Sequence, residues 1–316
     1  MNLHTLHDAT PEWLASALAD FEKQFRYPLG ENETFHISHG RDYTRFFRAI
    51  GDATVFVAEQ HGEVLGTLAG VRRPLRFPGG AVCDVAYICD YKVRPGAGAG
   101  RVLLRLGKGL EHCFGEAAGG RGYGIVMGGS RRAPEDYTGR CGIPDFQRVG
   151  EITILRFDTA AGPSTHRASI VSAAEAAAAW PSLIAREAFL PLGGSPATRS
   201  SLPPVPLLLA DGQACGVVED TSRGKRLLRD EHREMNAAHL SQFAYSGTAA
   251  GAALIGAALA VGREAGSPAL FVSIPARDTA AFRDHLRALH PLEAPAAIYA
   301  CGLESGRAWH VASSEI

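Results

Sequence analysis

The sequence has no surplus of charge of either sign. Its 316 residues include 32 Lys and Arg against 33 Asp and Glu, which gives a formal net charge of −1. Proteins that bind nucleic acids or anionic membranes usually carry a basic surplus. We therefore expect no nucleic acid and no membrane as partner, and the balance favours chemistry on small molecules.

A dense cysteine framework, a leader segment and a long apolar run are also missing. The six cysteines form no CxxC pair, so we expect reduced, mostly buried thiols. The opening residues, MNLHTLHDATPEWL, are polar and acidic where a signal peptide needs a basic stretch and an apolar core. The longest uncharged run, Gly247–Gly262, is too short to span a bilayer and predicts a buried helix. These features predict a cytoplasmic protein.

Several catalytic motifs are absent as well. No His-x3-His pair or Cys/His cluster occurs at ligand spacing, so no metal is predicted. The Gly-x-Ser-x-Gly pattern of a serine hydrolase does not occur. No glycine loop is followed by the Lys-Ser or Lys-Thr pair that a P-loop requires.

What the sequence does contain is an alternation of strand and helix patterns. Thr10 and Pro11 stand before an amphipathic segment and predict the cap and first turn of an opening helix. Two extended runs, Thr54–Gln60 and Val64–Val71, predict a hairpin. A third run, Val82–Val93, predicts a long strand with polar residues at alternate positions.

The third strand leads into a glycine-rich loop and a helix. The loop is Gly96–Gly100, and the apolar residues Val102, Leu106 and Leu110 recur after it at every fourth position. This order predicts an anion site, because unpaired backbone N–H groups point outward at a helix start and the helix dipole favours negative charge. Rossmann proteins use the same device, but three extended segments precede the loop here, where a Rossmann unit starts from its first strand.

The pattern then repeats along the chain. Strands at Gly124–Met127 and Glu151–Phe157, with a short helix from Pro134 between them, complete a first unit. Its glycine loop and helix, Pro95–Gly107, match Ser246–Ala258 at an offset of about 150 residues. We therefore predict two domains of one duplicated α/β fold, at residues 1–160 and 161–316, each with a mixed, mostly antiparallel sheet flanked by helices.

The segment DYKVRPGAGAGRVLLRL (Asp90–Leu106) resembles motif A of the GCN5-related N-acetyltransferase (GNAT) superfamily. The resemblance covers roughly residues 50 to 157 and implies a tandem GNAT protein that uses acetyl-CoA or another acyl-CoA as co-substrate, with its donor site in the first domain. It implies that main-chain groups of the loop hold the CoA pyrophosphate and that the strand before the loop pairs with the pantetheine arm. The implied contacts are Tyr91, Val93, Gly96, Ala97, Gly98, Ala99, Gly100 and Arg101. The Arg or Gln that usually precedes the family's loop glycines is missing, and Arg94 or Arg101 is the candidate replacement.

Acyl transfer to an amine needs a base for the amine and an acid for the departing thiolate. Asp84 and Asp90 lie on one face of the third strand, and Glu59 ends the preceding hairpin strand. Asp90 is nearest the loop and is the favoured base, with Glu59 or a chain of waters as alternatives. The resemblance implies that Tyr137 is the acid.

The remaining charged clusters are expected on the surface. Arg72, Arg73 and Arg76 predict a solvated face, and the basic stretch from Arg223 to Arg229 predicts a solvated hairpin. The second glycine loop has Ala249 in place of its middle glycine and no nearby basic residue. The second domain is therefore predicted to bind no CoA and to have a structural or substrate-shaping role.

Three functions remain open at the level of sequence. The first is an acyl-CoA-dependent N-acyltransferase (EC 2.3.1 type) acting on a small-molecule amine. The second is an aminoacyl transferase of the tandem-GNAT, tRNA-dependent kind, against which the intact glycine loop counts. The third is a binding module without turnover. A homodimer is a further candidate assembly.

Overall fold

The fold is taken from a computed structural model. It describes residues 1–29, 33–115, 119–129, 134–136, 138, 143–160, 168–229 and 233–316.

The described residues of the first half form eight strands and three α-helices. In chain order these are β1 (Asn2–Leu6), α1 (Glu12–Glu22), β2 (Tyr27–Leu29), β3 (Glu33–Ser38), α2 (Arg45–Arg48), β4 (Asp52–Gln60), β5 (Glu63–Arg76), β6 (Val82–Val93), α3 (Ala99–Phe114), β7 (Gly122–Met127) and β8 (Gln147–Asp158).

The second half repeats most of this order. Its elements are β9 (Ala168–Ile170), α4 (Ala173–Leu183), β10 (Leu190–Pro191), α5 (Pro196–Arg199), β11 (Val205–Leu209), β12 (Ala214–Glu219), β13 (Arg226–Arg229), β14 (Ala238–Tyr245), α6 (Thr248–Glu264), β15 (Ala269–Pro275), α7 (Thr279–His285) and β16 (Leu292–Cys301).

One mixed sheet runs through the molecule and confirms the predicted fold class. Thirteen of the described strands form it, twelve of them in the order β1-β4-β5-β6-β7-β16-β8-β15-β14-β12-β11-β9, with β10 beside β5. Neighbours in this order are antiparallel, except that β6 pairs parallel with β7 and β14 pairs parallel with β15. The order is symmetric about its centre, so each half contributes an antiparallel group followed by one parallel step.

The two halves exchange their last strands. β16 of the second half lies between β7 and β8, and β8 of the first half lies between β16 and β15. The exchanged strands pair with each other from Leu292 opposite Arg156 to Ala300 opposite Gln147. The division at residue 160 stays a prediction, but each half needs the other's last strand to complete its part of the sheet.

Helices cover both faces of the first half of the sheet. On β6, Ala86 and Ile88 pack with Val102 of α3. Val85 and Tyr87 belong to the other large core cluster, which contains the buried side chains of α1. Since successive side chains of a strand point to opposite faces, α1 and α3 lie on opposite sides of the sheet.

The start of the chain differs from the prediction. The chain opens with β1, which pairs antiparallel with β4, and not with a helix. The helix follows at Glu12, and Pro11, not Thr10, is its cap residue, without a side-chain cap bond. The five residues of β1 are half polar and form an edge strand, which is why their pattern is weak.

Most other local predictions agree with the structure. The hairpin is β4 and β5, joined through His61 and Gly62, which both have positive φ, as a two-residue hairpin turn requires. The long strand is β6, the predicted glycine loop leads into α3, and the uncharged run forms α6. Of the short helix predicted from Pro134, a single 3-10 turn to Asp136 is described.

The basic stretch before residue 230 belongs to a hairpin, as predicted, with Leu228 bridged to Glu234, but it is only partly solvated, with Arg223 and Arg226 exposed. Its strand, β13, pairs with β3 of the first half in a separate three-stranded sheet with β2. Lys225 and Asp220 are buried. Strand pairing between the halves brings these charges inside, and such pairing leaves no local signal in the sequence.

Candidate active site

An opening in the sheet lies between β6 and β7. These parallel strands pair at Ala86, Tyr87 and Ile88 of β6, opposite Gly122, Tyr123 and Gly124 of β7. Beyond that point, β6 continues to Val93 paired with β5, while β7 continues to Met127 paired with β16. In the described residues, each strand keeps its outer partner, but the ladder that joins β6 to β7 stops here. This leaves a gap lined by the backbone of Cys89–Val93.

A β-bulge lies at the mouth of this gap. Asp90 has φ 51, and the register between β5 and β6 shifts between Thr67 and Ala69. The extra residue reverses the alternation of the strand, so Tyr91 and Val93 pack on the α3 side. The main chain of Tyr91 and Val93 therefore lies along the gap. This is the position that the predicted pairing with a pantetheine arm requires.

The predicted glycine loop is an open cradle at the end of β6. Gly96 and Gly98 have φ 79 and 65, and a Cβ at either position would meet nothing within 4 Å. The N–H of Ala97 donates to the carbonyl of Arg94 (3.2 Å) and that of Arg101 to the carbonyl of Gly98 (3.0 Å). Helix α3 begins at residue 99, and the N–H groups of a helix's first turn lack partners within the helix. Such a cradle fits a pyrophosphate.

Neither candidate for the missing loop cation is fixed over the cradle. The Arg94 guanidinium donates to Glu63 (2.8 Å) and is held towards the β4–β5 hairpin. Arg101 is exposed on the first turn of α3. Of the two, Arg101 is free to turn towards a bound phosphate.

The matching loop of the second half has a different shape. Gly247 is extended, with φ −163 and ψ 154, where Gly96 is left-handed. A Cβ on Gly251 would lie 2.7 Å from the ring of Phe282, a fully buried residue of α7, whereas Gly100 at the matching position has open space. Gly247 itself is exposed. The second loop therefore lacks the left-handed shape of the first, and the first turn of its helix packs on Phe282 at Gly251.

Asp90, the predicted base, is the centre of a buried network. Lys92 Nζ lies 2.5 Å from one carboxylate oxygen, and the hydroxyl of Tyr43 donates to the other. Thr67 Oγ1 is within 3.0 Å of the Asp90 carbonyl. Burial alone would raise the pKa of Asp90, but Lys92, His39 and these hydrogen bonds lower it to about 2. A general base works best with a pKa near the operating pH, so this carboxylate is better suited to holding the bulge.

Glu59 lies at the far end of β4 and has a local role. Its carboxylate accepts from the N–H of Gly62 (2.6 Å) and from Asn2 Nδ2 (3.1 Å), and lies 3.2 Å from His4 Nε2. The Gly62 bond is the largest of the effects that lower the pKa of Glu59 to about 2. These contacts tie β1 to the hairpin turn. Tyr137, the predicted acid, lies outside the described residues.

A buried pair, Glu22 of α1 and His39, supports the bulge, and the sequence did not predict it. His39 Nδ1 lies 2.5 Å from Glu22 Oε1, and the N–H of His39 donates to the same carboxylate. The His39 ring packs 4.7 Å from that of Tyr43, whose hydroxyl holds Asp90. These residues come from separate elements, so sequence spacing gives no signal of their contact.

A cavity lies at the corresponding place in the second half. In the described ladder, the pairing of β14 with β15 ends at Leu240 and Val272. Gln242, just beyond this point, has φ 46, close to the φ of 51 at Asp90. The cavity is small: its accessible space is about 20 Å³, enough for about one water molecule. Its lining includes the apolar side chains Trp180, Pro191, Leu240, Phe243 and Val311 and the polar side chains Arg199, Gln242, Ser273, His310 and Glu315.

A cluster of buried ion pairs forms one wall of the cavity. Arg199 lies 2.6 Å from Glu219 and 3.2 Å from Glu315, and Arg73 lies 2.7 Å from Glu315. The sequence predicted that Arg73 and Arg76 lie on a solvated face, but both are buried. Their carboxylate or carbonyl partners come from more than 100 residues away in the sequence, which is why a run of arginines resembles a surface.

The cavity and the gap share this wall. The hydroxyl of Tyr87, which is in the β6–β7 ladder just before the gap, donates to the backbone carbonyl of Glu315 (2.9 Å). The Glu315 side chain lines the cavity. Tyr87 stacks on Tyr123 with ring centroids 4.9 Å apart. Tyr87 thus connects the cavity wall to the strand that borders the gap.

Comparison with solved structures identifies the class of fold. N-myristoyltransferase from Saccharomyces cerevisiae with bound myristoyl-CoA matches with a TM-score of 0.63 at 10% identity, over 98% of this chain and 84% of that chain. A GCN5-related N-acetyltransferase from Anabaena variabilis matches with a TM-score of 0.54 at 10% identity, over 95% of this chain and 72% of that one. No family model and no curated protein sequence matches the chain. The structural matches show that the chain has a GNAT-type fold along its whole length.

Two further observations concern ligands and membranes. Among the described residues, no three His, Cys, Asp or Glu side chains are grouped so that they could hold a metal ion. None of the described helices has both the length and the apolar character needed to cross a bilayer.

Proposed function

We propose that this chain is an acyl-CoA-dependent N-acyltransferase that binds the donor in its first half and transfers the acyl group to a small-molecule amine. The observation that carries this proposal is the difference between the two glycine loops. The first has left-handed glycines and is placed at the end of a strand beside a gap, while its counterpart is extended at Gly247 and its helix packs on Phe282 at Gly251. Only the first fits a pyrophosphate.

The donor would bind along β6, with acetyl-CoA as the proposed thioester. N–H groups of Gly96–Gly100 and the start of α3 would hold the pyrophosphate, with Arg101 as its cation. The pantetheine arm would pair with the main chain of Tyr91 and Val93 in the gap. The thioester would then lie near the bulge at Asp90, close to the wall shared with the cavity.

The reaction itself needs no group beyond these two substrates and a proton donor. The amine nitrogen attacks the thioester carbonyl, forming the C–N bond. The C–S bond then breaks, and the CoA thiolate takes a proton. The proton that the nitrogen loses balances the one that the sulfur gains. Asp90 is proposed to position the bulge, and Tyr137 to donate the proton to sulfur.

The proposal is tested by following thiol release from acetyl-CoA in the presence of a library of small primary amines. Amine-dependent release with equal formation of the acyl amide supports it. Binding of acetyl-CoA without turnover on any amine would favour the non-catalytic binding module. Failure to bind CoA would favour the aminoacyl transferase alternative.

Replacing Tyr137 with Phe is expected to cut turnover at least about tenfold, because removing a general acid costs about two to four orders of magnitude when no other group replaces it. The dissociation constant of CoA and the melting temperature should stay nearly unchanged. Phe keeps the ring and removes only the donor. Turnover at the wild-type rate on the same amine would show that solvent or the intermediate's own ammonium protonates the sulfur.

A further inference from the structure

A basic face of α3 adjoins the glycine loop of the first half. Arg101, Arg105 and Lys108 are exposed and follow one another at spacings of four and three residues, so they lie on one side of the helix. No carboxylate among the described residues lies within ion-pair distance of any of the three. The first turn of α3 carries no acid, and Glu111 lies beyond Lys108. The basic face thus carries three positive charges that no described group neutralises.

The direction of the helix brings these charges towards the loop. Side chains of a helix lean towards its N-terminus, and the loop Gly96–Gly100 leads into the N-terminus of α3. Arg101 is in the first turn, while Arg105 lies about 6 Å and Lys108 about 10 Å further along the helix axis. Arg101 is therefore next to the proposed pyrophosphate, and the other two cations stand one and two turns away from it.

An exposed apolar side chain belongs to the same side of the helix. Leu104 is 45% exposed, although α3 also has a buried side on which Val102 and Leu106 pack in the core. It is three residues after Arg101 and four before Lys108, so it lies beside both on the helix surface. An apolar group next to cations suits a ligand that combines a flat, weakly polar ring with a phosphate.

The matching helix of the second half has no such face. When the two loops are aligned on Gly96 and Gly247, the positions of the three cations are taken in α6 by Ala252, Gly256 and Leu259. Of these, Ala252 and Leu259 are buried. The basic face is therefore a feature of the half that carries the left-handed loop.

We propose that the basic face of α3 binds the 3′-phosphoadenosine end of CoA, with Arg105 and Lys108 on the 3′-phosphate and Leu104 against the adenine. The inference rests on the proposed function for the position of the pyrophosphate. In CoA a single ribose joins the pyrophosphate to the 3′-phosphate, so a pyrophosphate at the loop leaves the 3′-phosphate within reach of the next turn of the helix.

This arrangement defines the class of donor. A phosphate on the basic face distinguishes thioesters of CoA itself from thioesters on a phosphopantetheine arm without the nucleotide, such as the arm of a carrier protein. Arg101 contributes to both classes through the pyrophosphate or phosphate at the loop. Arg105 and Lys108 contribute to CoA alone, and they are therefore the residues that determine this specificity.

The test compares CoA with dephospho-CoA, which lacks only the 3′-phosphate, in calorimetric titrations of the full chain. The wild type should bind CoA about tenfold more tightly, because two cations act together on a phosphate dianion although each exposed pair is weak by itself. Salt screens exposed charges, so this preference should nearly disappear at about 1 M salt, where the Debye length is about 3 Å. A ligand held by shape alone would keep its preference.

Paired variants place the effect on α3. Arg105→Gln with Lys108→Gln keeps residues that favour a helix and should raise the dissociation constant of CoA about tenfold, to that of dephospho-CoA, whose own constant stays near the wild-type value. Lys23→Gln with Arg41→Gln removes the same charge at exposed positions next to α1, on the opposite side of the sheet, and should change neither constant. Leu104→Ala should weaken both ligands alike.

The outcomes separate this inference from the proposed function. Equal affinity of the wild type for CoA and dephospho-CoA, or a preference that the α3 double variant keeps, overturns the inference while the donor loop stands. Binding of neither ligand overturns it together with the proposed function. A preference for CoA that the α3 double variant abolishes supports it even if no amine is acylated, in which case the proposed function fails by itself.

Discussion

Replacing Gly98 with Val is expected to weaken CoA binding about tenfold to a hundredfold. Gly98 has φ 65, a conformation that costs a β-branched residue roughly 1–3 kcal/mol. The free loop relaxes out of this shape, and CoA must restore it to bind. Since about 1.4 kcal/mol corresponds to a factor of ten in the dissociation constant, the strain alone accounts for this loss. Calorimetric titration with CoA measures it.

The matched control is Gly212→Val, in the turn between β11 and β12. Gly212 has φ 70, and a Cβ there would also meet nothing within 4 Å. The two variants should lose similar stability, but only the cradle variant should lose CoA affinity. An unchanged dissociation constant for Gly98→Val, with the circular dichroism of the wild type, would show that the pyrophosphate binds elsewhere.

Replacing Asp90 with Asn is expected to lower the free energy of unfolding by about 3–5 kcal/mol, because it leaves the ammonium of Lys92 buried without its partner. The pKa of Asp90 is about 2 in the fold against an ordinary 3.8. The carboxylate therefore contributes stability at pH values above about 4 and loses it as the pH falls towards 2. Urea denaturation should show a constant difference from wild type between neutral pH and about pH 5, and a smaller one below.

Two further variants isolate the effect of burial. Asp52→Asn breaks the exposed pair with Arg72 (2.8 Å) on the neighbouring strands and should cost less than about 1 kcal/mol. Lys92→Met in the Asp90→Asn background removes the orphaned charge and should recover part of the loss. If Asp90→Asn keeps full stability and still abolishes turnover, Asp90 is the base after all.

Local features of the site could be predicted from the sequence, because the information lies within a few residues. The strand Val82–Val93, the glycines after it and the start of α3 are one contiguous segment, and their order predicts an anion cradle. The hairpin turn at His61 and Gly62 is local in the same sense.

The cluster of buried ion pairs could not be predicted, because its contacts join distant parts of the chain. Arg73 and Arg199 share Glu315 across 242 and 116 residues. In a single sequence such residues resemble a solvated face, since buried charges are rare unless they are paired. The exchange of β8 and β16, which brings the two halves into one sheet, is equally invisible in local patterns.

The division of labour between the halves is the central claim, and a calorimetric titration of the full chain with CoA tests it most directly. Our account predicts one CoA per chain, because Gly96 and Gly98 of the first loop are left-handed, while Gly247 of the second is extended. The same titration of Gly98→Val should show this single site weakened. Two sites per chain, or one site that Gly98→Val leaves unchanged, would contradict the account, since the Ser246–Gly251 loop would then be a working cradle.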